Sequence, residues 1–433
     1  MGLNFPRWLV ILITASTILG SLDSFAFDKS KVIAFIPESG EYQELGKRFR
    51  AAYIAAMGLD EHNPSFELCF VDCSNHNKFI FELTQYERDS TVIAFIGGLP
   101  SSVTSLIACS AERAEIPYVI DCDETDSLTW SNREYVFRLV PPLSTFNDGL
   151  ISWAASVAGR GRTAAILVDT SSQFSAFAID IEGDLANHWE GGKIWLPFHH
   201  DVQNFEFQIG VLKDATPALV FMLGKTLDVS RFLRQCRQAD YLPYAFGVVN
   251  GDIINNKLIS ASDRAAEYIV GPLVWMPDNS SPTIRKFFKA IHDDEMPSPD
   301  YQMAACASSI QILSSILDDP SINEREELKR KLSTEKFSTL FGEVQFASFG
   351  KFHNQNRTNT LTVQFDGEAW GIIWPIESAV IDDYYPIPEW RERDRPQSNR
   401  VFRWETITIF SATLLMILIY ISYKLSLRNP NIE

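Results

Sequence analysis

Residues 91–120 read TVIAFIGGLPSSVTSLIACSAERAEIPYVI and contain the unit from which most of this chain is built. An apolar run (91–97) leads through a Gly-Gly-Leu-Pro turn into a helical stretch (102–114), and a second apolar run, PYVI (117–120), follows. Both runs are continuously apolar and rich in β-branched and aromatic residues, which is typical of parallel strands covered on both faces. The stretch therefore predicts a strand–helix–strand unit of an α/β sheet.

The same unit recurs on both sides of this stretch. Upstream, VIAFIP (32–37) and FELCFV (66–71) each precede a helical stretch. After Pro141-Pro142 the pattern starts again, with apolar runs at TAAILV (163–168), KIWLPF (193–198), ALVFML (218–223) and YAFGVV (244–249). Alternating strands and helices predict a doubly wound α/β sheet, and the restart predicts two such halves.

The last part of the folded region has a different pattern. Helical stretches over 282–293, 300–318 and 324–332 lead to FGEVQF (341–346). Two further apolar runs, LTVQF (361–365) and AWGIIW (369–374), flank Asp366-Gly367. An Asp-Gly pair between two such runs predicts a β-hairpin that closes the domain.

Both ends of the chain carry apolar segments. Residues 1–26 combine Arg7, an apolar run and Ser24-Phe25-Ala26, which predicts a secretory signal peptide, with an uncleaved signal anchor as the alternative. Residues 404–423 provide about one bilayer's length of nearly uncharged sequence, which predicts a transmembrane helix. We expect a single-pass cell-membrane protein whose large domain is periplasmic or extracellular and whose tail, 424–433, is cytoplasmic.

Composition excludes several function classes. The net charge of −17 over 433 residues argues against nucleic acid as a partner. The chain has no nucleophile elbow, no phosphate-binding loop and no paired metal-ligand spacing, so we expect no catalytic residue, no cofactor and no metal. Among the six cysteines, Cys73, Cys109 and Cys122 are candidates for one or two disulfides, and buried free thiols are the alternative.

Three segments together resemble the leucine/isoleucine/valine-binding type of periplasmic binding protein. They are IGGLPSSVTSLIACSAERAEIPYVIDCDET (96–125), LVFMLGKTLDVSRFLRQCRQADYLPYAFG (219–247), and FGEVQF (341–346) with TVQFDGEAWGIIWP (362–375). The resemblance covers residues 31–375 and implies a type I fold, in which two doubly wound parallel sheets are joined by three chain crossings, here near 142, 276 and 341. The first lobe would comprise 27–142 and 277–341, the second 143–276 and 342–376, and residues 377–403 would form a stalk.

Proteins of this family bind a ligand between the lobes, at the carboxyl ends of the strands. By resemblance, Ser101 occupies the position that binds a ligand carboxylate, next to Ser102, and Thr125 contacts the same end of the ligand. The amides and the positive end of the helix that starts there favour an anion. The other interpretation of Ser101 is a helix cap.

The first lobe departs from the family pattern at two positions. The tyrosine of the first loop falls at Leu45, although Tyr42 is close by. The family's small residue, whose carbonyl faces a ligand amino group, is Asp123 here. Asp123 or Glu124 either supplies a carboxylate to the ligand or is a solvated loop acid.

The second lobe departs from it as well. The aromatic residue that packs on the ligand becomes Phe174, which keeps the ring and lacks the hydroxyl. The acid that pairs with an α-amino group falls at Val249 or Asn250, so its charge is missing. Lys225 would bind an anionic group if it faces the cleft, and is otherwise an exposed loop lysine.

The resemblance implies a membrane-anchored solute receptor. It would capture a small polar metabolite, amino-acid-like or carboxylate-containing, and present it to a transporter or sensor protein in the membrane. The departures keep a second hypothesis open, a structural or signalling ectodomain that has lost its ligand and binds a protein partner.

Overall fold

A computed structural model describes residues 30–59, 64–130, 133–171, 174–249, 256–291, 300–358 and 360–393. The predicted signal peptide, transmembrane helix and cytoplasmic tail lie outside the described residues, as do Asn250 and the stalk beyond residue 393. No helix within the described ranges has the length and apolarity that crossing a bilayer requires.

The first apolar runs form one sheet, as the sequence predicts. Its parallel strands are β1 (Lys31–Ile36), β2 (Glu67–Asp72), β3 (Val92–Gly97), β4 (Tyr118–Ile120) and β5 (Val136–Arg138). They lie in the order β2-β1-β3-β4-β5. This order is that of a doubly wound sheet, and β5 is a strand that the apolar pattern did not reveal.

A second sheet repeats the plan. Its parallel strands are β6 (Ala164–Asp169), β7 (Lys193–Phe198), β8 (Leu219–Leu223), β9 (Ala245–Val248) and β10 (Val270–Leu273). They lie in the order β7-β6-β8-β9-β10. We call the two sheets, each with its helices, the first and the second lobe.

The helices lie between the strands along the chain. They are α1 (Gln43–Met57), α2 (His76–Arg88), α3 (Ser101–Ala114), α4 (Asp148–Ala158), α5 (Ser175–His188), α6 (Glu206–Ala215), α7 (Thr226–Gln238), α8 (Asn256–Ala261), α9 (Pro282–Ile291), α10 (Tyr301–Leu317), α11 (Arg325–Thr334) and α12 (Trp390–Arg393). The short helices α6, α8 and α12 were not predicted. The buried helix α10 and the strand β5 each contribute a residue to the site described below.

Helices cover both faces of the first sheet. Alternate residues of β1 belong to different core clusters, with Val32 on the face of α1 and α10 and Ile33 on the face of α2 and α3. Because successive strand residues point to opposite faces, a strand buried on both sides is apolar at every position. The packed core on each face fixes the position of the sheet. The loops that carry the predicted site residues follow the carboxyl ends of its strands.

The third crossing between the lobes differs from the expectation. Strands β11 (Phe337–Thr339) and β12 (Gly342–Val344) form a small ribbon, and β13 (Phe346–Phe349) and β14 (Phe352–Asn356) then join the first sheet beside β5. The prediction of a crossing near 341 is therefore wrong, since the chain crosses only after Asn356. The Phe346 ring packs 5.3 Å from the Phe137 ring, which holds this segment in the first core.

The closing hairpin completes the second sheet. Strands β15 (Leu361–Phe365) and β16 (Trp370–Trp374) pair antiparallel, and β15 also pairs antiparallel with β10. The Asp366 amide donates to the Ala369 carbonyl across the turn, at 3.1 Å. Each sheet is thus mixed at one edge rather than wholly parallel, because a hairpin follows the last parallel strand.

The cysteines form no disulfide among the described residues, in agreement with the free-thiol alternative. All six are free thiols. The Cys73 thiol donates to the Leu99 carbonyl at 3.4 Å, and Cys109 is exposed. The Cys122 thiol lies instead in the buried core of the first lobe beside Cys306. This neighbour could not be predicted from local pattern because Cys306 belongs to α10, far along the chain.

Candidate functional site

The turn after β3 brings the start of α3 to the carboxyl edge of the first sheet. Gly97 and Gly98 have φ values of 84° and 97°, in a region that side chains rarely adopt. A Cβ at Gly97 would lie 2.4 Å from the Phe35 carbonyl oxygen, and one at Gly98 would lie 2.6 Å from the Tyr118 hydroxyl. Two glycines are therefore needed for the chain to turn this tightly and begin α3 at Ser101.

Ser101, Asp123 and Thr125 meet at this edge. The Ser101 hydroxyl oxygen lies 3.2 Å from Asp123 Oδ1, and the Thr125 hydroxyl oxygen lies 2.8 Å from the Ser101 hydroxyl oxygen. The Thr125 amide also donates to Asp123 Oδ1, at 2.9 Å. The strand ends of β3 and β4 thus bring together three of the residues that the sequence singled out.

The chemistry of a carboxylate fixes the direction of these hydrogen bonds. A carboxylate oxygen only accepts, so the Ser101 hydroxyl donates to Asp123 and in turn accepts from Thr125. Neither hydroxyl proton remains for a ligand. In this geometry the Ser101 hydroxyl is bonded to Asp123 of the same chain, and its contact with a ligand carboxylate remains a prediction.

The second oxygen of Asp123 is different. Asp123 is only 2% exposed, and its Oδ2 has no hydrogen-bond partner among the described residues. Burying a carboxylate oxygen without a partner is costly, and sites of this kind are usually completed by a donor. The cluster of Ser101, Asp123 and Thr125 therefore presents an acceptor at the edge of the sheet.

Arg138, at the end of β5, is hydrogen-bonded to the loop that carries Thr125. Its side chain is fully buried, and burial lowers its pKa to about 10, so it remains charged at neutral pH. Nη1 donates to the Thr125 carbonyl at 2.5 Å, and Nε donates to Gln355 Oε1 at 2.6 Å. Sequence reasoning missed Arg138, whose only signal is a charged residue inside the apolar run FRLV (137–140).

Glu124 connects the same loop to α10 and to the first crossing. The Tyr301 hydroxyl donates to Glu124 Oε1 at 2.6 Å, and the Leu143 amide donates to the Glu124 carbonyl at 2.8 Å. Burial raises the pKa of Glu124 to about 7. The Tyr301 ring in turn packs 6.2 Å from the Phe146 ring, so the loop is fixed to the segment that enters the second lobe.

A buried group beneath the loop has a structural role. Potential ligand atoms of Asp121, Cys122 and Cys306 lie within 4.8 Å of one another. Asp121 Oδ2 already accepts from Tyr53 at 2.7 Å and from Ser309 at 3.0 Å. A structural zinc site needs four ligands, and this group offers three, one of them hydrogen-bonded, so we assign it to packing of the core.

The remaining predicted positions lie apart from this cluster. Ser102 and Lys225 are exposed at the starts of α3 and α7, and Tyr42 is half-buried in the turn before α1. Phe174 is buried at the start of α5. The described contacts do not connect any of these four to Ser101, so their part in a site remains a prediction.

The second lobe has its own buried acid at the carboxyl edge. Asp169 ends β6 and is 1% exposed. Its Oδ1 accepts from the Ser171 amide at 2.8 Å, and its Oδ2 has no partner among the described residues. Sequence reasoning missed Asp169 as well, because it was counted with the loop after an apolar run.

A cavity of about 580 Å³ lies elsewhere, at the crossings between the lobes. Its lining includes Thr145, Asp148, Lys351, Arg357 and Trp374. These residues belong to the first and third crossings and to the strands beside them. Ser101 and Asp123 do not line this cavity, so the cavity and the polar cluster are separate candidate sites. The buried, unpartnered oxygen of Asp123 favours the cluster.

Solved structures share this fold. A leucine binding protein from Thermotoga maritima is 17% identical, with a TM-score of 0.58, and the match covers 79% of this chain and 97% of that one. A putative branched-chain amino acid ABC transporter protein from Rhodospirillum rubrum is 14% identical, with a TM-score of 0.67, covering 79% and 99%. No curated protein matches the chain.

A third structure extends the range of ligands among these proteins. A solute binding protein of an ABC transporter from Rhodopseudomonas palustris HaA2, solved with p-hydroxybenzoic acid, is 16% identical, with a TM-score of 0.61, covering 84% and 98%. These proteins bind solutes and are not enzymes. The periplasmic binding protein family model matches residues 31–368, and the chain therefore belongs to that family.

Proposed function

We propose that the protein is an extracytoplasmic solute receptor, anchored in the membrane, that captures a small polar metabolite between its lobes and presents it to a transporter or sensor protein. One observation carries the proposal. Ser101, Asp123 and Thr125 form a polar cluster around the buried Asp123 at the carboxyl edge of the first sheet, where ligands of open α/β sheets bind. Family membership supports an extracytoplasmic domain that binds and does not catalyse.

Two lobes joined by crossings suit a binding mechanism based on closure. A ligand that contacts both lobes is bound fully only in the closed state, so it shifts the population toward that state. The first lobe would supply Asp123 and the second lobe Phe174, Asp169 or Lys225. A membrane partner would then recognise the closed form.

The proposed anchor rests on sequence alone. Residues 404–423 have the length and apolarity of a transmembrane helix. Tethering raises the effective concentration of the receptor near a membrane partner without any new contact. Cell fractionation of the full chain and of a chain ending at residue 403 tests it. The full chain should sediment with membranes, and the shortened chain should be released by osmotic shock.

A thermal-shift screen tests the binding function. The wild-type domain should be stabilised by at least one compound in a library of amino acids, amines and organic acids, because binding to the folded state raises the melting temperature. Ser101→Ala should weaken the binding of that compound, since Ser101 orients Asp123. Ser333→Ala is the matched control, an exposed serine that bonds only the carbonyl of Lys329 within its own helix. A folded protein that no compound stabilises would contradict the function.

One observation favours a second candidate, an ectodomain that binds a protein partner and no small ligand. The Ser101 hydroxyl is already bonded to Asp123 of the same chain, as a filled site would be. This candidate predicts that no compound of any class alters the melting temperature or the scattering profile of the folded protein. Saturable binding of a single small molecule would rule out this second candidate.

A further inference from the structure

The cluster at the start of α3 has the opposite polarity from a carboxylate-binding site, and we propose that it binds a protonated amine of the ligand. This inference rests on the proposed solute-binding function and adds the chemical class of the solute. The acceptor is Asp123 Oδ2, which is buried and has no partner among the described residues. A charged amine supplies the donor that this oxygen requires.

The hydrogen-bond network leaves one oxygen for the ligand. Asp123 Oδ1 accepts from both the Ser101 hydroxyl and the Thr125 amide, at 3.2 Å and 2.9 Å. These bonds fix the plane of the carboxylate, because Thr125 is itself held through its carbonyl by Arg138. Oδ2 is thereby positioned at the edge of the sheet before a ligand arrives, as a specific binding site requires.

The same network disfavours a ligand carboxylate. A carboxylate bound at Ser101 would lie within about 6 Å of Asp123, the sum of two hydrogen-bond lengths. Two like charges at that separation lower the affinity by roughly threefold in water and by roughly a hundredfold at the effective dielectric constant near a protein surface. A simple carboxylic acid therefore fits this position poorly.

The nearest buried cation, Arg138, attracts Asp123 through space but makes no hydrogen bond to it. Arg138 donates to neutral oxygens, those of Thr125, Gln355 and Thr129. Lys351 pairs with Asp126, at 2.9 Å. No described cation is hydrogen-bonded to Asp123. Its Oδ2 therefore remains an unpartnered acceptor where the amine would bind.

The second lobe offers the same kind of group independently. Asp169 Oδ2 is also buried at the carboxyl edge of its sheet, with no partner among the described residues. Two acceptors from two lobes suit an amine, which has several protons to donate. The relative solved with p-hydroxybenzoic acid carries a carboxylic acid as ligand, and the present inference sets this chain apart from it.

Matched compounds test the inference. Each amine is paired with the carboxylate of the same carbon skeleton: benzylamine with benzoate, and 3-methylbutylamine with 3-methylbutanoate, with L-leucine and an amino-acid and polyamine library beside them. Binding is measured by thermal shift and the strongest compound by titration calorimetry. We expect the binding compounds to carry an amine and the carboxylates without one to leave the protein unchanged.

Asp123→Asn identifies the group responsible. The amide keeps the shape and loses the charge, so the affinity for the amine should fall by roughly 10- to 100-fold, as expected for a hydrogen bond to a charged group. Glu343→Gln is the control, since it removes one charge from an exposed strand residue of the same lobe and should leave the affinity unchanged. Circular dichroism and the melting temperature of each variant establish that it is folded.

The outcomes separate the inference from the function on which it rests. Amine binding that Asp123→Asn weakens supports both. A ligand that lacks an amine, or an amine whose affinity Asp123→Asn leaves unchanged, overturns the inference and leaves the receptor function standing. A folded wild-type protein that binds no compound of any class overturns the function, and the inference with it.

Discussion

The two lobes repeat one fold, but their carboxyl edges differ. In the first lobe, Ser101, Asp123, Thr125 and Arg138 form one connected polar network, in which Asp123 and Arg138 are buried. In the second lobe, Lys225 is exposed at the start of α7 and Phe174 is buried at the start of α5, with no described bond between them. Asp123 at the first edge accepts two hydrogen bonds, whereas Asp169 at the second edge accepts one, from the Ser171 amide.

The difference shows what positions a polar group in a fold of this kind. In the first lobe a buried cation, Arg138, holds the loop after β4 to the last strands of the sheet through Thr125 and Gln355. Transferring a charged side chain from water to the protein interior costs free energy. Its hydrogen bonds offset that cost only when their geometry is well defined. We therefore propose that the first lobe positions the ligand's polar end and that the second lobe closes over it.

Removal of Arg138 should have the largest effect on this contrast. Arg138→Ala removes the charged donor to Gln355 Oε1, to the Thr125 carbonyl and to Thr129, so the free energy of unfolding should fall by about 3–5 kcal/mol. Urea denaturation measures it. Arg160→Ala, at an exposed position of the second lobe, should change it by less than about 0.5 kcal/mol. Equal effects would mean that the network does not hold the first edge.

The glycine turns of the two lobes offer the next test. Gly97→Ala combines a left-handed backbone with an approach of 2.4 Å to the Phe35 carbonyl, and should cost about 2–4 kcal/mol. Gly161, in the turn before β6, has open space around it, so Gly161→Ala should be nearly neutral. Thermal unfolding compares the two variants, and a tolerated Gly97→Ala would refute the tight turn before α3.

Glu124 makes the first lobe sensitive to pH. Its carboxyl group has an ordinary pKa of 4.5 and a pKa of about 7 in the folded chain, raised by burial. Between these values the folded protein holds a proton that the unfolded chain has lost, so the free energy of unfolding falls as the pH rises from about 4.5 to 7, and the cost is full above pH 7.

Glu124→Gln should remove that dependence. The variant should be more stable than wild type by about 2–3 kcal/mol at pH 8.5 and equal to it at pH 4, since Gln keeps an acceptor for Tyr301 and carries no charge. Denaturation curves at the two pH values measure the difference. Identical pH profiles for the two proteins would show that Glu124 is solvated in the folded state.

Lys225 should have the smallest effect. The side chain is exposed at the start of α7, so Lys225→Ala should change the free energy of unfolding by less than about 0.5 kcal/mol. The same urea curves that measure Arg138→Ala measure it. A loss comparable to that of Arg138→Ala would mean that the second lobe carries a network of its own, and the contrast between the edges would disappear.

Much of the fold could be predicted from the sequence because its strands are buried on both faces. Runs such as VIAFIP and ALVFML are apolar at every position, and each is a central strand of its sheet. The third crossing could not be predicted from FGEVQF, since β13 and β14 are short and polar in part, and β14 joins β13 to the first sheet by pairing with β5, which is distant in sequence. The positions of β13 and β14 are determined by tertiary packing rather than by the local sequence pattern.

The meeting of Ser101 and Thr125 at one sheet edge was predictable from the sequence, and their hydrogen-bond pattern was not. Ser101 and Thr125 follow strand ends, so the sequence could place them together at one edge. Which group accepts from Ser101 depended on the side chain of Asp123 turning toward α3, and two interpretations of that acid stood open. Arg138 was invisible because a buried charge at a strand end has no sequence signal of its own until its partners are known.

A crystal structure of the protein, purified without dialysis so that a native ligand is retained, tests the central claim most directly. The account predicts electron density between the lobes with a nitrogen about 2.7–3.1 Å from Asp123 Oδ2. Density for a ligand whose carboxylate occupies that position, or a side chain of the protein that fills it in a closed and empty cleft, would contradict the account.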